Sequence, residues 1–352
     1  MPAFYTHYIF GKLGYQDMGE GALKEMVRRY KKVYAFGLSG PDIFFYFAPD
    51  QLLLRRTPGS KMHEEKCGAF LRCMLREALA LSGTEREIGI AYLAGFIGHY
   101  ALDVNCHPHV YAYIEEEAAL LERGLKGRVS DGGTKTLRIG RKPRPHRVSK
   151  HEKTGIHFRY ECAMDHYFLE HYVEKTTGQL KQGKMVYLTP AERRVIARLV
   201  ANAYNKTYDR PNMSEATMRA VLFSVRMVQR LIRDPRGKKE RVFYPLEKFV
   251  YHHPFLSGLF VNDNCYSIGR DEWEKMNVLF LIGRGEYKKM LDALGEVVES
   301  ALLLEREEAA AAHSEKEEKT PALQEARMRY EKALKLFASI LGSRSYHTGM
   351  PV

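Results

Sequence analysis

The spacing of apolar side chains along the chain predicts a succession of helices. Between residues 61 and 81, apolar positions recur every three or four residues, as one buried face of a helix requires. The stretch 84–104 is apolar on nearly every face, which predicts a central buried helix. The same helical spacing predicts further helices at 20–34, 111–123, 152–176, 190–208, 214–233, 271–281, 286–312 and 321–341.

The helical spacing is interrupted at three places. Residues 1–16 are rich in aromatic side chains and are predicted to form an extended lead-in. Pro108 follows the central helix and predicts a short turn before the next one. Gly40 and Pro41 predict a turn that presents Asp42 ahead of an aromatic run.

Two histidine–carboxylate pairs share one spacing within the helical pattern. His99 and Asp103 are four residues apart, as are His157 and Glu161, so each pair lies on one face of its helix. His109 follows the predicted turn and can fold back toward the first pair. A charged pair on a buried helix is costly unless it is compensated, by a hydrogen bond within the pair or by a cation. These five nitrogen and oxygen donors are of the kind that zinc takes.

Three more candidate donors precede these pairs in the sequence. His63 lies in the first turn of the helix predicted over 61–81. Taken alone, His7 is better explained as a histidine packed at the edge of the core. Asp42 has two interpretations, because an acid after a turn commonly caps the next helical turn, whereas an acid at an aromatic rim can act as a general base.

Composition and charge narrow the class of protein. Of the 352 residues, 45% are hydrophobic and 28% are charged, which is typical of a globular protein with a sizeable core. The net charge of +12 favours anionic partners, such as phosphates, acidic lipid surfaces or nucleic acid. The five cysteines contain no C-x-x-C pair, which argues against a disulfide framework. We find no signal peptide and no transmembrane segment, and we expect a cytoplasmic protein.

Basic residues are concentrated between residues 124 and 150, which we predict to be a mobile loop with a short hairpin at 136–139. A solvated insertion is the simpler explanation of this loop. The alternative is that it steers an anionic substrate toward the histidine-rich site.

The ordered set of donors resembles the zinc-dependent phospholipase C family, which shares its fold with the S1/P1 nucleases. The resemblance covers roughly residues 1–175. It implies an all-α, multi-helix core with two or three zinc ions. We therefore expect a catalytic core at 1–180 and a helical C-terminal region at 181–352 that packs on it. Carried over residue by residue, the resemblance assigns His63, His99 and Asp103 to one zinc and His109, His157 and Glu161 to a second.

The same resemblance implies a third zinc, bridged by Asp103 and completed by His7 and the N-terminal amine and carbonyl. Secreted members acquire that N-terminus by cleavage, and no signal for it is found here, so we expect either two zinc ions or three. Asp42 matches the acid that serves as general base or orients the attacking water. His107 is the rival of His109 as a ligand, and the family spacing favours His109.

The resemblance implies a zinc-dependent phospholipase C-like hydrolase of phosphate esters, using a zinc-activated water. The expected partners are a phospholipid or another phosphate ester, with peripheral contact to an anionic membrane. One alternative is an S1/P1-type nuclease that cleaves single-stranded nucleic acid. Another is a non-catalytic zinc-binding protein whose C-terminal helices bind a partner. The oligomeric state is left open.

Overall fold

A computed structural model describes residues 4–47, 57–125, 145–175, 187–209, 212–234, 236–250, 260, 268–312 and 321–352. About 82% of the structure is helical, and no strand occurs in these residues. The predicted all-α fold is therefore confirmed. The predicted basic loop lies mostly outside the described residues, and its hairpin at 136–139 lies wholly outside them.

Twelve α-helices and one 3₁₀ helix make up these described ranges. In chain order they are α1 (Phe4–Asp17), α2 (Ala22–Arg29), α3 (Lys31–Gly37), the 3₁₀ helix (Gly40–Tyr46), α4 (Pro58–Glu64), α5 (Cys67–Leu79), α6 (Gly83–Glu122), α7 (Lys150–Val173), α8 (Pro190–Thr207), α9 (Glu215–Ile232), α10 (Lys238–Val250), α11 (Arg270–Ala312) and α12 (Pro321–Leu341). None of the described helices is long and apolar enough to span a membrane.

Helix α6 is the central element, as its apolar sequence predicts. Its side chains from Ile88 to Val104 are all buried, and it contacts α1, α2, α3, α5, α7, α8 and α11. It approaches α3 closely, because Gly37 and Gly95 face each other and leave no room for a Cβ atom on either. This approach brings the end of α3 and the 3₁₀ helix against the middle of α6.

The turn predicted at Pro108 does not form, because α6 runs through it to Glu122. A proline inside a helix removes one backbone donor and crowds the carbonyl four residues earlier, which here belongs to Val104. Gly349 packs against this carbonyl and against the Pro108 ring, so close that a Cβ on Gly349 would lie 2.8 Å from the Val104 oxygen. Burial and packing of the surrounding helix outweigh the local cost of the proline.

The extended conformation predicted for residues 1–16 is also wrong, since this stretch forms α1. The first turn of α1 is capped by Asp165 of α7, whose carboxylate accepts hydrogen bonds from the backbone N–H groups of Tyr5 at 3.2 Å and Thr6 at 2.7 Å. Phe4, Tyr5 and Phe10 of α1 are buried, and Gly11 and Gly14 allow Leu38 and Tyr287 to approach its backbone. Tertiary packing therefore stabilises a helix that the local sequence pattern does not predict.

Other helices are confirmed with changed boundaries. The helix predicted over 20–34 is divided at Tyr30 into α2 and α3, and the one over 61–81 is divided into α4 and α5. Lys66 separates the latter two, with a left-handed φ of 49°. The predicted helices 271–281 and 286–312 are a single helix, α11, which pairs with α12.

Candidate metal centre

Histidine and carboxylate side chains from four α-helices and the 3₁₀ helix converge beside the middle of α6. Their ligand atoms form three groups, each with all atoms within 4.8 Å of one another. The groups are His7, His99 and Asp103; Asp42, His63 and His99; and His107, His157 and Glu161.

Helix α6 carries the centre because His99, Asp103 and His107 follow one another at intervals of four residues. Asp103 Oδ2 lies 2.9 Å from His99 Nε2 and 3.5 Å from His107 Nδ1. Its other oxygen, Oδ1, lies 3.3 Å from Nε2 of His7 on α1. Asp103 therefore stands at the middle of the cluster, where it can bridge more than one cation.

Backbone carbonyls orient two of the histidines. His63 donates from Nδ1 to the Gly59 carbonyl at 2.7 Å, and His99 donates from Nδ1 to the Leu38 carbonyl at 3.0 Å. Because a carbonyl only accepts, Nδ1 carries the proton in each ring, and the lone pair is on Nε2. The Nε2 atoms of both histidines face the carboxylates of the cluster, which is the orientation of metal-bound imidazoles.

The turn before the 3₁₀ helix makes room for His99. Gly40 has a φ of +48°, in the left-handed region that favours glycine. A Cβ at Gly40 would collide with the His99 ring. The Gly-Pro pair thus places Asp42 beside His63, with Asp42 Oδ1 3.2 Å from His63 Nε2.

The carboxylates of the cluster are held in their charged form. Burial alone would raise the pKa of Asp103, but His107, His99 and His7 around it hold that pKa well below its usual range. Burial likewise opposes a lowered pKa for Glu161, yet His157 and His107 keep it well below the ordinary value. Such charges are buried at a cost that cations can offset.

Several buried polar atoms of the cluster have no hydrogen-bond partner among the described residues. They include His99 Nε2 and Asp103 Oδ2, which are 2.9 Å apart without hydrogen-bond geometry, together with His7 Nδ1 and His107 Nδ1. Buried polar groups are nearly always satisfied, so orphaned atoms that converge indicate a missing partner. Imidazole nitrogens and carboxylate oxygens are donors that suit zinc, and the residues present therefore fit that metal.

The third group lies nearer the surface, between α6 and α7. Glu161 Oε1 is 2.8 Å from His157 Nε2 and 3.5 Å from His107 Nε2. The side chain of His157 is 18% exposed, whereas that of His99 is fully buried, so the cluster opens toward solvent at this end.

His109 does not lie in the cluster, contrary to the assignment that the resemblance implied. Its Nε2 is 2.6 Å from Oε1 of Glu272 on α11, which also accepts a hydrogen bond from the Tyr160 hydroxyl at 2.7 Å. Because α6 continues through Pro108, residues 107 and 109 point about 160° apart, at about 100° per residue. His107, the rival, stands with His157 and Glu161 instead.

The other predicted donors, His7, Asp42, His63, His99, Asp103, His157 and Glu161, come together as expected. Sequence analysis missed His347, whose ring stacks on that of His63 at a centroid distance of 5.1 Å. Burial and the neighbouring His63 and His107 lower the pKa of His347 to about 3. No sequence signal pointed to His347, because it is isolated and far from the other donors along the chain.

A comparison with protein-family models matches residues 6–213 to a family described as zinc dependent phospholipase C. This range covers more than half of the chain and includes every residue of the three groups. Comparisons with curated proteins and with solved structures give no match.

Proposed function

The chain belongs to the zinc-dependent phospholipase C family, and on that premise we propose that it hydrolyses phosphate esters at the three-group centre. The observation that carries the proposal is the convergence of the three groups, two of which share His99. A protein that needed one structural zinc would require a single closed set of four ligands. A shared, carboxylate-bridged cluster with an open end is instead typical of hydrolytic sites with several metal ions.

We assign the ligands by group. His63, His99 and Asp103 would hold one zinc, and His107, His157 and Glu161 would hold a second. His7 and Asp103 provide for a third, so that the proposed content is two or three ions. His107 takes the place that the resemblance gave to His109.

Bound zinc supplies positive charge to the phosphate oxygens and lowers the pKa of a coordinated water toward about 7. The chain's own contribution is the placement of its donors and of Asp42. Burial alone would raise the pKa of Asp42, but His99 and His63 help to hold that pKa below its usual range. The Asp42 side chain is 13% exposed. A carboxylate in this position orients a water for attack and accepts its proton.

The substrate class follows from the charge of the site. Several cationic centres attract and neutralise an anionic phosphate, and phospholipid diesters agree with the family. We further propose that an anionic membrane surface is where the protein meets such a lipid, in keeping with its net charge of +12.

The test is hydrolysis by zinc-loaded protein of phosphatidylcholine vesicles, a chromogenic phosphodiester and single-stranded DNA. We expect the wild type to release the phosphorylated headgroup from phosphatidylcholine and the coloured product from the phosphodiester. His99→Ala should abolish both reactions. Asp42→Asn should retain zinc and lose about 10²- to 10⁴-fold in kcat, the usual contribution of a general base. His166→Ala, on an outer face of α7, is the matched control and should keep full activity.

Two results would change the proposal. Cleavage of DNA without cleavage of the other two substrates would favour the S1/P1-type nuclease alternative. Activity of the wild type no greater than that of His99→Ala on all three substrates would refute the hydrolase proposal and favour a zinc-binding protein without catalysis.

A further inference from the structure

Residues 343–352, termed here the terminal segment, return from the end of α12 to the metal centre. The Gly68 backbone N–H donates to Ser343 Oγ at 3.1 Å, and the Arg344 N–H donates to the Tyr100 hydroxyl at 2.9 Å. The Tyr346 N–H donates to the carbonyl of His63 at 2.8 Å. These hydrogen bonds, which use the Ser343 hydroxyl and two backbone N–H groups of the terminal segment, fasten it to α5, α6 and α4.

The terminal segment also holds its own shape. The Ser345 N–H donates to the Met350 carbonyl at 2.8 Å, and the Gly349 N–H donates to the Ser345 carbonyl at 2.9 Å. Gly349, with a φ of +66°, seats this turn against Val104 and Pro108 of α6. A turn that is closed internally and docked on a helix presents its remaining side chains in fixed positions.

Two consecutive side chains of this turn face the cluster. Tyr346 is 1% exposed, and its ring centroid lies 4.9 Å from that of His63 and 5.8 Å from that of His99. It completes the wall behind the two histidines. His347 follows it and lies on the solvent side.

His347 stands between two of the ligand groups. Its ring lies parallel to that of His63, at an interplanar angle of 26°, and its centroid is 6.3 Å from that of His107. Tyr111 packs against it from α6 at 5.1 Å. The side chain is 26% exposed, so a molecule that enters the centre from solvent can reach it.

We propose that His347 is a substrate-binding residue of the centre, which donates a hydrogen bond from its imidazole to an oxygen of the bound phosphate ester. The proposal rests on the hydrolase function proposed above. It adds a contact from the terminal segment, beyond residues 6–213 that the family model covers. The role needs a neutral imidazole N–H and no change of charge.

The position favours substrate contact over the two other roles open to a histidine here. His347 is not part of any of the three groups within 4.8 Å, which disfavours a metal ligand. Its Nδ1 is 3.7 Å from Glu64 Oε1, too long for a hydrogen bond, so no described contact ties its proton to a structural partner. An imidazole that lies between His63 and His107 is placed to contact an oxyanion that the two proposed zinc sites would hold.

Two variants separate these roles in the zinc-loaded chain of 352 residues. His347→Phe keeps the stacking on His63 and removes both nitrogens, whereas His347→Gln restores an N–H donor. His166→Phe makes the same change on the outer face of α7 and is the control. For each protein we would measure zinc content, thermal midpoint, kcat and KM for a phosphodiester, and the Kd of inorganic phosphate by calorimetry.

We expect His347→Phe to keep its zinc and thermal midpoint and to raise KM and the Kd of phosphate by about tenfold or more, the loss of one hydrogen bond to a charged group. His347→Gln should recover part of this loss, and His166→Phe should change nothing. Unchanged KM and Kd in His347→Phe would overturn the proposal, and so would loss of zinc, because His347 would then be a ligand. Phosphate binding needs no turnover, so an inactive wild type that still shows this difference would refute the hydrolase proposal alone.

Discussion

Charged side chains are exposed to solvent in the α11–α12 hairpin and buried in the metal centre. In the hairpin, charges lie in water: Arg329 and Glu296 form a 3.4 Å pair with more than half of each side chain exposed. Apolar residues of the two helices, such as Leu294, Val297 and Phe337, are buried. In the centre, Asp103 and His99 are almost completely buried, and some of their polar atoms have no hydrogen-bond partner in the described structure.

This difference shows which forces hold each region. Burial of apolar area stabilises the hairpin, and its surface ion pairs add little. In the centre, removing charges from water lowers the free energy of unfolding, which is typical of a site selected for chemistry rather than for folding. Cations that satisfy the orphaned donors offset that cost, so the centre should depend on metal whereas the hairpin should not.

The largest expected effect comes from Asp103, the carboxylate shared across the cluster. Asp103→Asn keeps the shape of the side chain and removes its charge. Hydrolysis should fall by at least about a thousandfold, since metal-based charge stabilisation contributes several kcal/mol. The measurement is kcat/KM for a phosphodiester at saturating zinc.

Asp292→Asn is the matched control, because Asp292 pairs with Lys288 at 2.6 Å on the exposed face of α11. Its activity should equal that of the wild type. Equal activity of the two variants would contradict the proposal that hydrolysis depends on a charge in the centre and not on one in the hairpin.

The second effect separates two histidines on one helix. His107→Ala should weaken zinc binding by more than about a hundredfold, because the loss of a residue that only hydrogen-bonds to a metal ligand already costs up to that factor. His109→Ala should leave zinc affinity unchanged and cost about 1 to 2 kcal/mol of unfolding free energy, because the buried Glu272 loses a hydrogen bond. Chelator competition and urea unfolding measure the two quantities, and the reverse pattern would restore His109 as the ligand.

These histidines also show which parts of the fold and of the site the sequence could predict. Helical spacing located most helices, such as the one predicted over 321–341, because each buries one periodic face. Donor types and their four-residue intervals pointed to two pairs, His99 with Asp103 and His157 with Glu161, and the structure places each pair in one of the three groups. The resemblance placed His109 with His157 and Glu161, whereas the helix that continues through Pro108 brings His107 to that pair.

Other features depend on contacts distant along the chain. Helix α1 begins where Asp165 caps it, about 160 residues away, and no local pattern reveals that cap. His347 reaches the centre because the terminal segment bonds to the His63 carbonyl. Such pairings follow from tertiary packing and carry no periodic signal.

The third prediction concerns this cap on α1. Asp165→Ala removes the acceptor for the Tyr5 and Thr6 N–H groups and for the Thr6 hydroxyl at 2.7 Å. We expect a loss of about 1 to 3 kcal/mol of unfolding free energy, from the lost cap and the unsatisfied donors. Because α1 carries His7, zinc content should also fall by up to one ion, whereas Asp165→Asn, which keeps one oxygen acceptor, should lose less of both. Unchanged stability and zinc content in Asp165→Ala would remove the proposed link between the cap and the centre.

The smallest effect is expected at the hairpin surface. Arg329→Ala removes the exposed pair with Glu296 and should change the unfolding free energy by less than about 1 kcal/mol. Denaturant unfolding, with and without chelator, measures this change. A loss as large as that of Asp165→Ala would mean that surface ion pairs support the hairpin after all.

The most direct test of the metal centre is the zinc content per chain, by elemental analysis of protein purified without chelator. We predict two or three zinc ions per chain, which are removed by chelator and restored when zinc is added back. Protein that holds no zinc, before or after incubation with the metal, would contradict this prediction, because the buried imidazoles and carboxylates would then form a polar network that needs no cation.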